Sequence, residues 1–150
     1  MPGHRRICYR SACGEGSRKD GRPMDAMNVL IADDSALVRE RLRVMLAEVP
    51  GVQLIRETAN VEETMAALQA VKPDVTILDI KMPDGSGIEV LRHAKQTGTS
   101  PVVIMLTSFA TPEYRAVCLA AGADFFLDKS SEFLTIADVL KKLMPDPPQT

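Results

Sequence analysis

The sequence lacks any long uninterrupted hydrophobic stretch. A transmembrane helix needs roughly 20 consecutive apolar residues, and no run in the chain of 150 residues approaches that length. The first residues also lack the apolar segment that is typical of a secretory signal peptide. Both absences argue against a membrane-spanning or secreted protein, so we expect a cytoplasmic one.

Cysteine is also scarce. The three cysteines, Cys8, Cys13 and Cys118, form an odd and widely spaced set, which is typical of reduced thiols rather than of a disulfide framework. Cys8 and Cys13 lie near His4, but their spacing does not match a zinc knuckle and a fourth ligand is lacking. We therefore predict no zinc site in this part of the chain.

The chain as a whole has no strong excess of one charge sign, since its net charge is −2. Residues 1–26 contain six basic and three acidic residues, a net charge of +3, which leaves −5 on the remainder. An acidic body argues against nonspecific nucleic-acid binding. The basic segment has little apolar periodicity and is predicted to be a disordered extension, unless Met24 or Met27 is the true start of translation.

The sequence does contain apolar runs that alternate with helical patterns from Met27 onward. Apolar residues make up 45% of the chain, a composition typical of soluble globular proteins, and the length suits one domain. The alternation predicts an α/β fold in which a five-stranded parallel sheet is doubly wound, with helices on both faces. The predicted domain spans residues 27–144, and a short proline-rich tail spans residues 145–150.

Five strands and five helices follow from this alternation. The predicted strands are 28–32, 52–56, 75–78, 102–106 and 124–127. The predicted helices are 35–48, one capped by Asn60 and ending at Val71, one with Ile88 and Leu91 inward, one starting at Thr111 and Pro112, and 131–144. The residues expected to be buried are Tyr114, Val117, Cys118 and Ala121 in the fourth helix, and Phe133, Ile136, Ala137, Leu140 and Leu143 in the fifth.

Polar side chains stand where four of the predicted strands end. They are Asp33, Asp34, Asp79, Thr107 and Lys129. In an open α/β sheet the carboxyl ends of the strands open into a common crevice. The five residues should therefore converge there as an acidic triad, a hydroxyl and an ammonium. This combination predicts a site for a cation and a phosphoryl group.

Four segments, NVLIADDS, TILDIKMPDGSG, IMLTS and FFLDKS, resemble in order and spacing the signature segments of receiver domains of two-component response regulators. The resemblance covers residues 27–144. It implies a flavodoxin-like strand order of 2-1-3-4-5, for which receivers are a standard example. It also implies a phosphorylatable signalling switch whose donor is a sensor histidine kinase or a phosphotransfer protein.

The resemblance further implies a Mg²⁺ site. Asp79 corresponds to the phosphoacceptor, and Asp33 and Asp34 correspond to the acids of the metal site. In the family pattern the metal is bound by the equivalents of Asp34 and Asp79 and by the backbone carbonyl of Lys81, while Asp33 acts through water. Three packed carboxylates repel one another, and a hard divalent cation with oxygen ligands relieves that repulsion.

By the same resemblance, Lys129 corresponds to the phosphate-binding lysine, Thr107 to the switch hydroxyl and Phe126 to the rotating switch aromatic. Their coupled movement would reshape the face made by the fourth helix, the fifth strand and the fifth helix, where an output partner is expected to bind. The chain departs from the common pattern at two positions. Ser130 follows Lys129 where many receivers have proline, and the Lys81 side chain lies beside the route of hydrolytic water, with an effect of either sign on phosphate lifetime.

Other functional classes fit parts of this pattern. A phosphatase of the haloacid dehalogenase type, with an Asp nucleophile and Mg²⁺, would place a second Asp two residues after the nucleophile, where this chain has Lys81. A phosphate sink or carrier would use the same residues without a dedicated output, and a degenerate docking domain would not need the intact set. The predicted function is therefore a switch that catalyses only its own phosphorylation and dephosphorylation.

Overall fold

The computed structural model of the protein describes residues 26–144. The predicted N-terminal extension with His4, Cys8 and Cys13 and the predicted C-terminal tail lie outside the described residues, apart from Ala26. The elements in chain order are β1 (Met27–Ala32), α1 (Ala36–Ala47), β2 (Val52–Thr58), α2 (Val61–Val71), β3 (Val75–Leu78), β4 (Lys81–Met82), β5 (Gly85–Ser86), α3 (Gly87–Thr97), β6 (Val102–Thr107), α4 (Pro112–Ala120), β7 (Phe125–Asp128) and α5 (Thr135–Leu143). None of the helices within the described range is long and apolar enough to span a membrane.

Five of the strands form one parallel sheet in the order β2-β1-β3-β6-β7. This is the predicted order 2-1-3-4-5, because the two-residue strands β4 and β5 pair with each other in a separate antiparallel hairpin. Strand β2 lies on one side of β1, whereas β3 and the later strands of the sheet lie on the other side, so the order of the strands reverses between β1 and β3. A crevice at the carboxyl ends of these two strands is the usual ligand site of such a sheet.

The inner strands are apolar on both faces because helices cover both sides of the sheet. Every residue of β1, β3 and β6 is buried. Val29 and Ile31 face the core formed with α1 and α5, whereas Leu30 and Ala32 face the core formed with α2 and α3. Continuous apolar runs, rather than alternation with polar residues, are what strands covered on both faces require.

Side-chain caps fix where four of the helices begin. Ser35, Asn60, Ser86 and Thr111 each accept a hydrogen bond from a backbone N–H two or three residues further along. Such caps satisfy donors that the first turn of a helix leaves unpaired. Pro112 occupies the first helical position of α4, as predicted. The loops between strand tips and helices are therefore short, which holds the polar residues at the strand tips in place.

The predicted start of the last helix is wrong. The helix begins at Thr135 rather than at residue 131, because residues 131–134 form turns and Leu134 provides no side-chain cap. Glu132 instead reaches back, and its Oε1 accepts a hydrogen bond of 3.0 Å from the Asp128 N–H. The chain between β7 and α5 is therefore a longer turn than the sequence pattern indicated.

Four expected core positions also differ, two of which, Tyr114 and Ala121, are half-buried. Val117 is 40% exposed, and Cys118 is the one buried residue of α4. This helix of nine residues touches the core along a narrow strip, so its neighbouring position at residue 117 faces outward. In α5, Ala137 is half-buried and Val139 is buried instead.

Candidate functional site

Three carboxylates meet at the carboxyl ends of β1 and β3. Asp33 and Asp34 directly follow β1, and Asp79 directly follows β3. One oxygen from each carboxylate lies within 4.8 Å of the other two. Asp33 and Asp79 are 2% and 5% exposed, whereas Asp34 is exposed. The acidic triad therefore consists of two buried acids and one that reaches solvent.

Neighbouring strands and local donors orient the two buried acids. The Asp33 N–H donates to a carbonyl at the end of β2, and the Asp79 N–H donates to one at the end of β1, both at 3.0 Å. Ser35 N–H donates to Asp33 Oδ1 at 2.9 Å, and Ile80 N–H donates to Asp79 Oδ1 at 2.8 Å. Each acid thus has one oxygen fixed by the backbone and the other, Oδ2, available to the site.

Lys129 contacts both of these oxygens. Its Nζ lies 2.7 Å from Asp33 Oδ2 and 3.1 Å from Asp79 Oδ2. Although Ser130 replaces the usual proline, Asp128 holds the turn, since its Oδ1 accepts from the Ser130 N–H at 2.9 Å and from the Ser130 hydroxyl at 2.8 Å. The lysine therefore reaches the site without the proline.

One ammonium does not neutralise three carboxylates. Burial raises the pKa of Asp79, and the charge of Asp33 raises it further, whereas Lys129 opposes the rise. Burial alone would lower the pKa of Lys129, but the hydrogen bonds and charges of Asp33 and Asp79 outweigh burial and raise it. The ammonium stays protonated, and the ionised site keeps an excess of negative charge.

These residues fit a hard divalent cation. Mg²⁺ binds oxygen ligands and usually takes one or two carboxylates from a protein while keeping several waters. Asp34 and Asp79 offer carboxylate oxygens close together, and Asp33 lies beside them. Lys81, whose carbonyl is part of the metal set that the resemblance implies, follows Asp79 by two residues and begins β4. A divalent cation would offset the excess negative charge of the cluster.

Gly87 allows the start of α3 to approach the backbone of Asp79. The Gly87 N–H donates to the Ile80 carbonyl at 2.6 Å, and a Cβ atom at position 87 would lie 1.9 Å from the Asp79 carbonyl oxygen. Any residue larger than glycine would therefore displace the backbone that carries Asp79. The sequence indicated a sharp turn in this loop but not this close contact.

Thr107 and Phe126 lie on the adjacent strands β6 and β7. Thr107 is fully buried, and its Oγ1 accepts a hydrogen bond of 3.0 Å from the Phe109 N–H. Phe126 is 6% exposed, and its carbonyl accepts from Arg115 Nη1 at 3.4 Å while the guanidinium lies 5.8 Å from the ring centre. The Phe126 ring is thus already directed inward, beside a cation from α4.

Lys81 is held by aromatic rings rather than by the acidic cluster. Its Nζ lies 4.9 Å from the ring centre of Phe109 and 6.0 Å from that of Tyr114. Phe109 was not among the site residues that the sequence predicted. The available signal was its position two residues after Thr107, in a chain where aromatic residues make up 4%.

The fold and the acidic crevice are those of a known class of signalling domain. The sequence profile of the family described as Response regulator receiver domain matches residues 29–141. The chain belongs to this family of two-component receivers, in which phosphorylation and Mg²⁺ binding are typical. The resemblance seen in the four sequence segments is confirmed.

Relatives carry different attached activities. The chain is 33% identical over 128 residues to a protein-glutamate methylesterase/protein-glutamine glutaminase of Treponema denticola, covering 81% of this chain and 34% of the relative. It is 31% identical over 115 residues to the DNA-binding transcriptional activator DevR/DosR of Mycobacterium tuberculosis, covering 77% of this chain and 53% of the relative. It thus spans about a third to a half of the length of these relatives.

A solved receiver structure shows the same fold. The response regulator domain of Thermotoga maritima CheB matches with a TM-score of 0.70 at 28% identity, covering 79% of this chain and 93% of that one. The similarity extends over almost the whole of that domain.

Proposed function

We propose that this receiver accepts a phosphoryl group on Asp79 and thereby switches a partner-binding surface. The observation that carries the proposal is the position of the Asp79 carboxylate. Its Oδ2 lies 3.1 Å from Lys129 Nζ, and its carboxylate lies within 4.8 Å of the Asp33 and Asp34 oxygens. A nucleophile, a cation-binding set and an ammonium for a phosphoryl oxygen are the parts that phosphoryl transfer to a carboxylate needs.

The proposed reaction transfers the phosphoryl group from a phosphohistidine. An Asp79 oxygen forms a bond to phosphorus, the P–N bond breaks, and the leaving imidazole keeps the electron pair. Lys129 binds one phosphoryl oxygen through its ammonium, and the Thr107 hydroxyl donates a hydrogen bond to another. Burial of Asp79 and Thr107 removes water from this reaction centre, which strengthens these charge-assisted contacts.

The acidic cluster is proposed to hold Mg²⁺ during this reaction. Asp34, Asp79 and the backbone carbonyl of Lys81 would bind the cation directly, and Asp33 would act through water. The bound cation would supply charge neutralisation between the carboxylate nucleophile and the phosphoryl oxygens. Support for this assignment comes from the clustering of the three acids and from their excess of negative charge.

The phosphoryl donor is proposed to be a sensor histidine kinase or a phosphotransfer protein that docks in a groove beside the site. This groove, here the α1 groove, has a volume of about 450 Å³, and its apolar lining residues are Leu37, Val44, Met45, Phe133 and Leu134. Leu37, Val44 and Leu134 are 65%, 59% and 77% exposed. The proposal is supported by sequence proximity, since α1 follows Asp34 closely and residues 131–134 follow Lys129.

The output surface is proposed to be the face made by α4, β7 and α5. Two contacts support this proposal. Thr107 Oγ1 accepts from the Phe109 N–H in the loop before α4, and Arg115 of α4 contacts Phe126 of β7. A shift of Thr107 toward a phosphoryl group would therefore disturb α4 and β7 together. Coupling free energies of about 1–3 kcal/mol are typical of such switches.

We further propose that the protein acts as a switch in the cytoplasm and not as an enzyme on a separate substrate. In a phosphatase with an Asp nucleophile, a general acid would stand two residues after Asp79, but that position holds Lys81. The folding unit is proposed to be residues 27–144. The acidic charge of the chain beyond residue 26 supports a protein partner rather than nucleic acid.

The test is phosphorylation by a small phosphodonor such as acetyl phosphate with Mg²⁺, followed by intact mass measurement. We expect one added phosphoryl group in the parent and none in Asp79→Asn. Asp84→Asn, in the same loop, should be labelled like the parent because Asp84 lies outside the acidic cluster. Labelling of Asp79→Asn that keeps the base lability of an acyl phosphate would show that another carboxylate is the acceptor.

A further inference from the structure

Arg39, near the start of α1, binds the main chain of the acidic site. Its Nη1 donates a hydrogen bond of 2.6 Å to the Asp33 carbonyl oxygen. The Asp33 N–H donates to the Thr58 carbonyl at 3.0 Å. The main chain of Asp33 is therefore held at both of its peptide groups, by β2 on one side and by the Arg39 side chain on the other.

The peptide group that Arg39 holds is the one that joins Asp33 to Asp34. Asp34 is exposed, and within residues 26–144 its carboxylate accepts no hydrogen bond, whereas backbone N–H groups bind the carboxylates of Asp33 and Asp79. The direction of the Asp34 side chain is therefore set by its own main chain. Because a peptide group is planar, fixing the Asp33 carbonyl also fixes the N–H with which Asp34 begins.

Glu57 of β2 holds the Arg39 guanidinium in place. Arg39 Nε lies 3.4 Å from Glu57 Oε1, and Arg43 donates to the same carboxylate from Nε at 2.8 Å and from Nη2 at 3.1 Å. The hydrogen bond from Arg43 lowers the pKa of Glu57, so this carboxylate is ionised at neutral pH. Because the donors of a guanidinium form a rigid fork, a partner on Nε also directs Nη1.

The path from Glu57 to the acidic site is short and partly sheltered from solvent. The side chains of Arg39 and Glu57 are 20% and 24% exposed, whereas that of Arg43 is 50% exposed. Glu57 pairs with Ile31 in the register of β1 and β2, two residues before Asp33. Partly buried charges are screened less by salt than exposed ones. These contacts therefore connect the edge strand of the sheet with the main chain between two of the three acids.

We propose that Arg39 is a positioning residue of the cation site, because its hydrogen bond to the Asp33 carbonyl sets the direction of Asp34 while Glu57 keeps Arg39 in place. The inference rests on the proposed Mg²⁺ site. Side chains that support metal ligands from outside are typically worth about 10- to 100-fold in metal affinity. Arg39 supports its ligand through the main chain, so we expect the lower end of that range, about tenfold.

The sign of the effect separates positioning from charge. Arg39 brings a positive charge close to a site for a divalent cation, so on charge alone its removal should tighten Mg²⁺ binding. Loss of the contact with Asp33 should instead weaken binding. Arg39→Met keeps the apolar part of the side chain without charge or donor. We expect this variant to bind Mg²⁺ about tenfold more weakly than the parent.

The part played by Glu57 requires a double variant. Glu57→Gln removes a negative charge, so both charge and positioning predict weaker Mg²⁺ binding, by about 2- to 5-fold. In the Arg39→Met background the two accounts differ. If Glu57 acts through Arg39, Glu57→Gln should have no further effect there, whereas a pure charge effect should weaken binding equally in both backgrounds.

The experiment titrates unphosphorylated full-length protein with Mg²⁺ and follows backbone amide shifts by NMR, which gives the affinity of the folded molecules. Arg39→Gln is a second variant of the same kind, in case Arg39→Met does not fold. Arg56→Met, an exposed change on β2 that removes the same charge, is the matched control and should bind Mg²⁺ no more weakly than the parent. Urea unfolding in chelator measures the effect of each substitution on stability separately.

The Asp33 carbonyl carbon gives a second readout, in chelator. A hydrogen bond from a guanidinium shifts a carbonyl carbon downfield, so Arg39→Met should move this resonance upfield and Arg56→Met should not. Parent protein whose amide shifts do not respond to Mg²⁺ would overturn the proposed metal site and the positioning role together. A parent that binds Mg²⁺, with both Arg39 variants binding it as tightly or more tightly, would overturn the positioning role alone. An Asp33 carbonyl resonance that stays unchanged in both Arg39 variants would do the same.

Discussion

The substitution Asp79→Asn should stabilise the metal-free protein at neutral pH although it removes the proposed phosphoacceptor. Asp79 is buried against Asp33, and burial and that neighbouring charge raise its pKa despite the opposing effect of Lys129. A carboxyl whose pKa is raised by folding is less favourable as a charge in the folded protein than in the unfolded one. An asparagine has a similar shape and no charge, so this cost disappears.

The magnitude follows from the distances. At an effective dielectric constant of about 20, carboxylate oxygens 4.8 Å apart or closer repel by ~3.5 kcal/mol or more, and Lys129 at 3.1 Å attracts Asp79 by ~5 kcal/mol. Burial of an ion costs several kcal/mol in addition, which makes the sum unfavourable. We expect Asp79→Asn to raise the free energy of unfolding by about 1–3 kcal/mol, or Tm by about 2–12 °C.

The pH dependence has a definite sign. Between the unfolded and the raised folded pKa of Asp79, the folded protein binds more protons than the unfolded chain, so its stability falls as pH rises. Asp84 behaves in the opposite way, because hydrogen bonds from the Val61 and Glu62 N–H groups lower its pKa. Its contribution is present above the unfolded pKa and is lost as pH falls through the folded pKa.

The assay is urea unfolding in chelator, from acid to neutral pH, of the parent, Asp79→Asn and Asp84→Asn. The gain in Asp79→Asn should grow as pH rises through the Asp79 titration, whereas Asp84→Asn should be less stable than the parent at neutral pH. Mg²⁺ should stabilise the parent more than Asp79→Asn, because the native acidic cluster is its proposed binding site. If Asp79→Asn is less stable than the parent in chelator at neutral pH, the Lys129 ion pair outweighs burial and the reasoning is refuted.

Three further predictions concern other positions. Gly87→Ala should lower the free energy of unfolding by about 1–3 kcal/mol and slow labelling by a small phosphodonor, because its Cβ would lie 1.9 Å from the Asp79 carbonyl oxygen. Lys72 caps α2 in the left-handed conformation with φ 45°, so Lys72→Gly should stabilise the protein to urea by about 0.5–1 kcal/mol. Leu134→Glu in the α1 groove should slow phosphotransfer from a phosphohistidine protein by about tenfold but should not slow phosphorylation by acetyl phosphate. The control Leu119→Glu should slow neither reaction. Equal slowing of both reactions by Leu134→Glu would show that the substitution damages the acidic site rather than partner binding.

Much of the fold could be predicted because short-range rules determine it. Continuous apolar runs identified the strands, and Ser35, Asn60 and Thr111 marked helix starts through their caps. The polar residues of the site could be located in the sequence because each stands at the end of one of these apolar runs. The parallel sheet then brings Asp33 and Asp79 together whatever the details of the loops.

Other features depend on distances between loops, which periodicity does not encode. The cation–π contact of Lys81 with Phe109 joins two loops 28 positions apart in sequence, and the backbone contact of Gly87 with Asp79 depends on the entry angle of α3. The late start of α5 has a similar cause, because Glu132 hydrogen-bonds back to the Asp128 N–H instead of continuing a helix. Glu132 is compatible with either a helix or a turn in the sequence pattern, and its hydrogen bond to the Asp128 N–H favours the turn.

Repulsion within the acidic cluster lowers the stability of the metal-free protein, and the same repulsion favours the binding of a cation. A second lysine paired with the cluster would neutralise it further, and Lys81 is close enough in sequence to compete for that role, but its ammonium is placed on Phe109 and Tyr114 instead. The remaining negative charge destabilises the metal-free protein and favours the binding of a divalent cation. Because binding to the native state alone adds to stability, the same charge that weakens the metal-free protein should strengthen its response to Mg²⁺, the proposed ligand of the cluster. A variant that relieves the repulsion in the absence of metal should therefore gain stability and lose cation affinity. Its free energy of unfolding should rise in chelator, and the further increase on addition of Mg²⁺ should be smaller than in the parent.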